Sequence, residues 1–165
     1  MPVAKQCERL SKVRDTAAAR GIHLVINARV DSFFSDQFSD PEERIEDAVA
    51  RAEAYGQAGA DCIYPIGPGD EKTLTLLRSR ITSPLNALAT REAVPLDVMA
   101  KIGINRVSFG PYIFRSCLRK FADIVDSLAR SEGYDSFGRE MMLKTDVAEY
   151  LTSEDEDASV LPSPN

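Results

Sequence analysis

Four short apolar runs, each followed by a segment with helical spacing, are the feature that most restricts the fold of this chain. Leu24 to Ala28 leads into Arg29, Val30 and Asp31. Cys62-Ile63-Tyr64, Pro84 to Leu88 and Arg106 to Gly110 follow. Runs this short and this rich in β-prone residues read as strands buried by flanking helices. Between them, Ile45, Ala48, Val49, Ala52 and Tyr55 recur at helical spacing after Asp40-Pro41-Glu42-Glu43, a strong helix start. The other expected helices are Ala4 to Arg20, Glu71 to Arg78, Pro95 to Ile102, Tyr112 to Arg130 and a short one near Asp146 to Leu151. Strands alternating with helices imply an α/β fold with a parallel sheet. Two architectures satisfy that pattern, an open doubly wound sheet and part of a (β/α)8 barrel. In both, function lies in the loops after the strands.

Composition narrows the class. The chain has 165 residues, 44% hydrophobic and 28% charged, as expected for a globular domain. Net charge is −6, and the run Glu154 to Asp157 carries four of those charges. That balance offers no footprint for nucleic acid or an anionic membrane. No apolar run is long enough to span a bilayer, and Met1 to Leu10 lacks the apolar core of a secretory signal. Cys7, Cys62 and Cys117 are widely separated and read as reduced thiols, so a cytoplasmic setting is expected. One histidine and scattered cysteines argue against zinc. Residues 152–165 are acidic and Ser/Pro-rich and are expected to be a disordered tail after a folded region spanning 1–151.

Arg29 is the leading candidate for a binding residue. Asn27, Arg29 and Asp31 share one parity and so one face of the first strand. A guanidinium at the end of a buried strand needs a partner, either a carboxylate such as Asp31 or Asp61, or an anionic ligand that suits its planar fork. Asn86 is polar within an apolar strand and also needs a partner, in a pocket or on a backbone group. Asp31 and Ser108 are candidate supporting residues, the former orienting Arg29 or capping a loop. Gly67-Pro68-Gly69 has neither the Lys-Ser/Thr of a P-loop nor dinucleotide-fingerprint spacing, and reads as a tight loop. His23 lies before the first strand, away from the loops that follow the strands.

Several ordered motifs resemble one family. Ile26-Asn27-Ala28-Arg29-Val30-Asp31, Arg51-Ala52-Glu53-Ala54-Tyr55 with Ala58-Gly59-Ala60-Asp61, Pro84-Leu85-Asn86 and Arg106-Val107-Ser108-Phe109-Gly110-Pro111 resemble, in order, motifs of the isocitrate lyase/phosphoenolpyruvate mutase superfamily. The resemblance covers roughly the first four-fifths of the chain. It implies a (β/α)8 TIM barrel of phosphoenolpyruvate/pyruvate-binding type, of which this chain carries the second half, the fifth to eighth strands. A whole barrel takes about 250 residues.

The resemblance also implies chemistry: Mg2+-dependent cleavage or rearrangement of C–C or P–C bonds in small α-keto acids, phosphonates or carboxylates. Arg29 would hold the substrate carboxylate or phosphonate, and Asn86 would line the pocket. The Mg2+ ligands and the catalytic loop belong to the first half, so no catalytic or metal-binding residue is expected here and the chain alone is expected to be inactive. Ile66 stands where lyases and mutases of the family carry Glu or His. An isoleucine exchanges no proton, which points to the phosphonomutase-like branch. The expected partners are a small carboxylate or α-keto acid and either a second copy or a barrel-completing half. The alternative is a non-catalytic remnant acting as an oligomerisation or interaction module.

Overall fold

In the computed structural model, residues 1–134, 142 and 145–147 are described. The expected acidic tail and most of the expected helix near Asp146 lie outside them. The chain divides into two compact units, Met1–Ile113 and Phe114–Asn165.

The first unit is built of strand-helix repeats. Helix α1, Val3–Ala18, precedes strand β1, Asn27–Val30. A 3-10 turn, Ser32–Phe34, leads to α2, Pro41–Gln57. Then come β2, Cys62–Pro65; α3, Glu71–Arg80; β3, Asn86–Leu88; α4, Leu96–Ile102; and β4, Arg106–Ser108. Helix α5, Tyr112–Ala129, starts in the first unit and makes up most of what is described of the second. Among the described residues, no helix is long and apolar enough to cross a membrane.

The helix boundaries follow local chemistry. The Asp40 side chain accepts the Glu42 N–H at 2.9 Å, with Pro41 in the first helical position, as the sequence pattern requires. Asp70 likewise accepts the Thr73 N–H at 2.9 Å and starts α3. Gly103 caps α4 in the left-handed conformation, φ +91°, which costs glycine little.

Among the described residues, all strand pairings are parallel. β1 pairs with β2 and β3 with β4, and a bridge between Ile63 and Leu85 joins the two pairs. Ala28, Val30, Ile63, Leu85 and Ala87 are buried, and most of them pack with α2 and α3 residues such as Ala48, Ala52, Tyr55 and Leu77 and with Ile81 just after α3. Ala87 joins Leu74 and Met99 in a second cluster under α4. Helices thus cover the face carrying these residues. The doubly wound alternative is not realised: the strands run in chain order, without the strand-order reversal that such a sheet requires.

The first strand is shorter than its apolar run suggests. Leu24 and Val25 lie outside β1 and are 42% and 72% exposed. The sequence gains strand pairing only at Asn27, opposite Cys62. Just ahead of it, the Asp61 carboxylate accepts the Ile26 N–H at 2.6 Å and pairs with Arg14. Asp61 therefore ties the entry of β1 to α1 rather than pairing with Arg29.

The Ile26 N–H bond is the largest influence on Asp61, and with Arg14 it holds the carboxyl below its ordinary range. A lowered folded-state value stabilises the fold above the unfolded carboxylate range near about 3.9, and that contribution disappears as pH falls through the folded value. Urea midpoints measured from pH 6 down to pH 3 should fall more steeply for wild type than for Asp61→Asn. Parallel curves would show that the Asp61 charge does not contribute.

Candidate functional site

The two faces of the sheet differ in chemistry because strand residues alternate sides. The residues that alternate with Ala28, Val30, Ile63, Leu85 and Ala87 are Asn27, Arg29, Cys62, Tyr64, Asn86, Leu88, Arg106 and Ser108, and the register puts these on the opposite face. The pairing register sets Arg29 against Tyr64 and Asn86 against Arg106. The Ile63–Leu85 bridge brings Tyr64 alongside Asn86. Four strands thus contribute a polar row to one face.

Arg29 stands at the loop end of β1. Its Nε donates to Asp31 Oδ1 at 2.5 Å, and the two side chains are 56% and 62% exposed. The sequence argument that this guanidinium is desolvated therefore fails for this chain. Helices bury only the opposite face of β1, where Ala28 and Val30 sit. The ion pair is nonetheless informative. It engages Nε of the fork, so Asp31 orients Arg29, and neither Nη group has a hydrogen bond among the described residues. Arg29 and Asp31 line a cleft of about 320 Å³ together with Arg9, Ser32, Asp47, Arg51 and Tyr55.

The loop after β1 is fixed from α2. Ser32 is buried, and its hydroxyl donates to Asp47 Oδ2 at 2.6 Å. Arg51 Nε donates to the same oxygen at 2.7 Å, and its Nη1 donates to the Tyr55 hydroxyl at 3.2 Å. Arg44 reaches back to the carbonyl oxygens of Phe33 and Phe38. The Arg51 to Tyr55 motif thus anchors the segment beside Arg29.

Asn86 is 1% exposed and finds its partner in a side chain, not in the backbone. Its Nδ2 lies 3.0 Å from Ser108 Oγ, and Ser108 Oγ lies 3.2 Å from Asn86 Oδ1. Arg106 Nη1 donates to the same Ser108 oxygen at 3.0 Å. Ser108 therefore joins a buried amide to an exposed guanidinium. Arg106 and Tyr64 were not singled out from the sequence. Their signal was available in parity: Arg106 is two residues before Ser108, and Tyr64 follows the buried Ile63. Burial pushes the Tyr64 phenol up, and the guanidiniums of Arg29 and Arg106 both oppose that shift. Both cations therefore act on one hydroxyl.

Other sequence candidates sit elsewhere. His23 is exposed, and Cys62 is buried with its thiol pushed up by desolvation, as for a core residue. In the Gly67 to Asp70 loop, Gly67 packs under the 3-10 turn and Gly69 against Ala93. A Cβ on Gly67, whose φ is +129°, would come 2.9 Å from Phe33 Cβ. Gly67→Ala therefore combines backbone strain with a clash, and should cost about 1–3 kcal/mol in urea unfolding. A loss under about 0.5 kcal/mol would show that the loop and the turn move apart freely.

Among the described residues, no three His, Cys, Asp or Glu side chains group to hold a metal ion. Asp31 is held by Arg29, and Ile66, which follows β2, offers no ligand atom in its side chain. The donor set described here does not by itself fit a Mg2+ cage.

The fold and motifs agree with known proteins. A candidate phosphonomutase from Burkholderia cenocepacia J2315 superposes with a TM-score of 0.71 at 29% identity, over 77% of this chain and 51% of that one. A candidate lyase/mutase from the same organism gives 0.77 at 23% identity, over 94% and 54%. 2,3-Dimethylmalate lyase, a member of the PEP mutase/isocitrate lyase superfamily, gives 0.72 at 16% identity, over 90% and 52%. The chain thus spans about half the length of these structures, and its parallel strand-helix units correspond to about half of their TIM barrel. No curated protein matches the chain. The family model for phosphoenolpyruvate phosphomutase matches residues 1–129, which includes every motif from Asn27 to Pro111, and the chain therefore belongs to the phosphoenolpyruvate phosphomutase family.

Proposed function

We propose that this chain supplies the carboxylate-binding half of a phosphonomutase-like barrel, acting on C–C or P–C bonds of small α-keto acids, phosphonates or carboxylates. The observation that carries the reading is the Arg29–Asp31 pair at the loop end of β1, with the fork directed by Asp31 and both Nη groups without a partner among the described residues. Asn86, buried and held by Ser108, lies two strands away on the same face. Mg2+ would supply charge neutralisation at the substrate oxygens, and its ligands would come from the other half of the barrel. This chain's own part is to bind and orient the acid; alone it is expected to give no turnover.

Association belongs to this reading. β1 pairs with β2 along one edge only among the described residues, and exposed strand edges favour pairing with further chain. Asn27 Oδ1 is buried on β1 without a hydrogen-bond partner among the described residues, so it awaits a donor. A second copy or a barrel-completing half is the expected partner. The test is calorimetry with oxalate and pyruvate on the chain alone and after supplying the first half of the barrel. Saturable binding that strengthens on completion supports the reading. Absence of binding in a folded, completed assembly overturns it and favours the non-catalytic interaction module.

A further inference from the structure

The polar face holds a second guanidinium that the reading of Arg29 as a carboxylate anchor does not use. Arg106 and Arg29 stand at opposite ends of one row, with Tyr64 and Asn86 between them. The row spans three strand spacings, about 14 Å of backbone separation. Arg106 differs from the other strand cation in its partner. Arg29 is neutralised by Asp31, whereas among the described residues Arg106 has no ion pair and donates through Nη1 to the Ser108 hydroxyl. That hydroxyl is already fixed by the buried Asn86 amide. A serine oxygen carries no formal charge, so the Arg106 charge is steered but not compensated. Exposed arginines can be solvated individually. Two guanidiniums on one face, both acting on a half-buried tyrosine hydroxyl between them, instead create a field that suits two negative groups on one small molecule.

We propose that Arg106, positioned by Ser108 and Asn86, anchors the second anionic group of a dianionic substrate whose first carboxylate is held by Arg29. The proposal rests on the Arg29 reading and adds the residue that would hold the second group. Arg106 is exposed and outside the core, so its replacement leaves packing intact.

The experiment is an NMR titration of the full chain, following the arginine Nε–H signals, with succinate and acetate as probes. Succinate should move the Arg29 and Arg106 signals together. Arg106→Gln should lower succinate affinity about tenfold, the scale of one lost charge-assisted hydrogen bond, and leave acetate unchanged. Arg106→Lys should recover little of it, since it keeps the charge and loses the fork. Arg29→Gln should weaken both probes. Equal losses of succinate and acetate in Arg106→Gln would reveal a general charge effect and overturn the proposal. So would a succinate response that leaves the Arg106 signal unmoved, or no succinate response in the folded chain. If Arg29→Gln weakens acetate while Arg106→Gln changes nothing, the Arg106 assignment falls and the Arg29 reading stands. If Arg29→Gln changes neither probe, the Arg29 reading falls and the paired arrangement falls with it.

Discussion

Ile63→Ala is expected to lower unfolding stability by about 2–5 kcal/mol, a large share of the total for a domain of this size. Ile63 is 0% exposed and lies at the centre of β2. Its N–H donates to the Pro84 carbonyl at 2.8 Å, and its bridge to Leu85 joins the two strand pairs. Truncation leaves a void where strands and helices meet, in a cluster that includes Ala52, Leu77 and Leu85. Urea unfolding followed by circular dichroism provides the measurement. A loss below about 1 kcal/mol would mean that the β2–β3 junction does not carry the core.

The second large effect concerns binding. In the barrel-completed assembly, Arg29→Ala should weaken oxalate or pyruvate binding by at least about tenfold. Leaving one charge of a desolvated pair unpartnered costs about 2–5 kcal/mol. The lower end applies, because Arg29 is more than half exposed in this chain and solvent screens exposed charges. Arg29→Lys should recover little, since a point charge cannot offer the two-pronged geometry. Asp31→Asn should give a smaller loss, as it frees the Nε that Asp31 holds without removing the fork. Calorimetry on folded variants decides the matter. Equal affinity in wild type and Arg29→Ala would leave Arg29 a structural residue paired to Asp31.

The two substitutions separate what holds the fold from what faces the ligand, although Ile63 and Tyr64 are neighbours in sequence. Their side chains leave the sheet in opposite directions. Ile63 meets the helix layer and Tyr64 meets the polar row. This division recurs at Ala28 and Arg29, and again at Asn86 and Ala87, where Asn86 bonds to Ser108 and Ala87 packs with Leu74 and Met99.

The four strand-helix units were legible because the signals are local. Asp40-Pro41 and Asp70 start helices through bonds within three residues, and Gly103 ends one through a backbone angle that glycine adopts freely. The motifs around Arg29, Tyr55, Asn86 and Ser108 likewise sit in short contiguous segments, so the sequence alone determined the family and the strand order, and it made Arg29 the residue to test. It misjudged the start of β1, because Leu24 and Val25 are as apolar as any core strand and only pairing with Cys62 decides where the strand begins. It also misjudged the solvation of Arg29, since burial depends on what covers each face. The partner of Asn86 and the alignment of Arg29, Tyr64, Asn86 and Arg106 depend on register between strands some 20 to 40 residues apart. Register is fixed by the packing of Ala28, Ile63 and Leu85 under the helices, a long-range property that no local segment encodes.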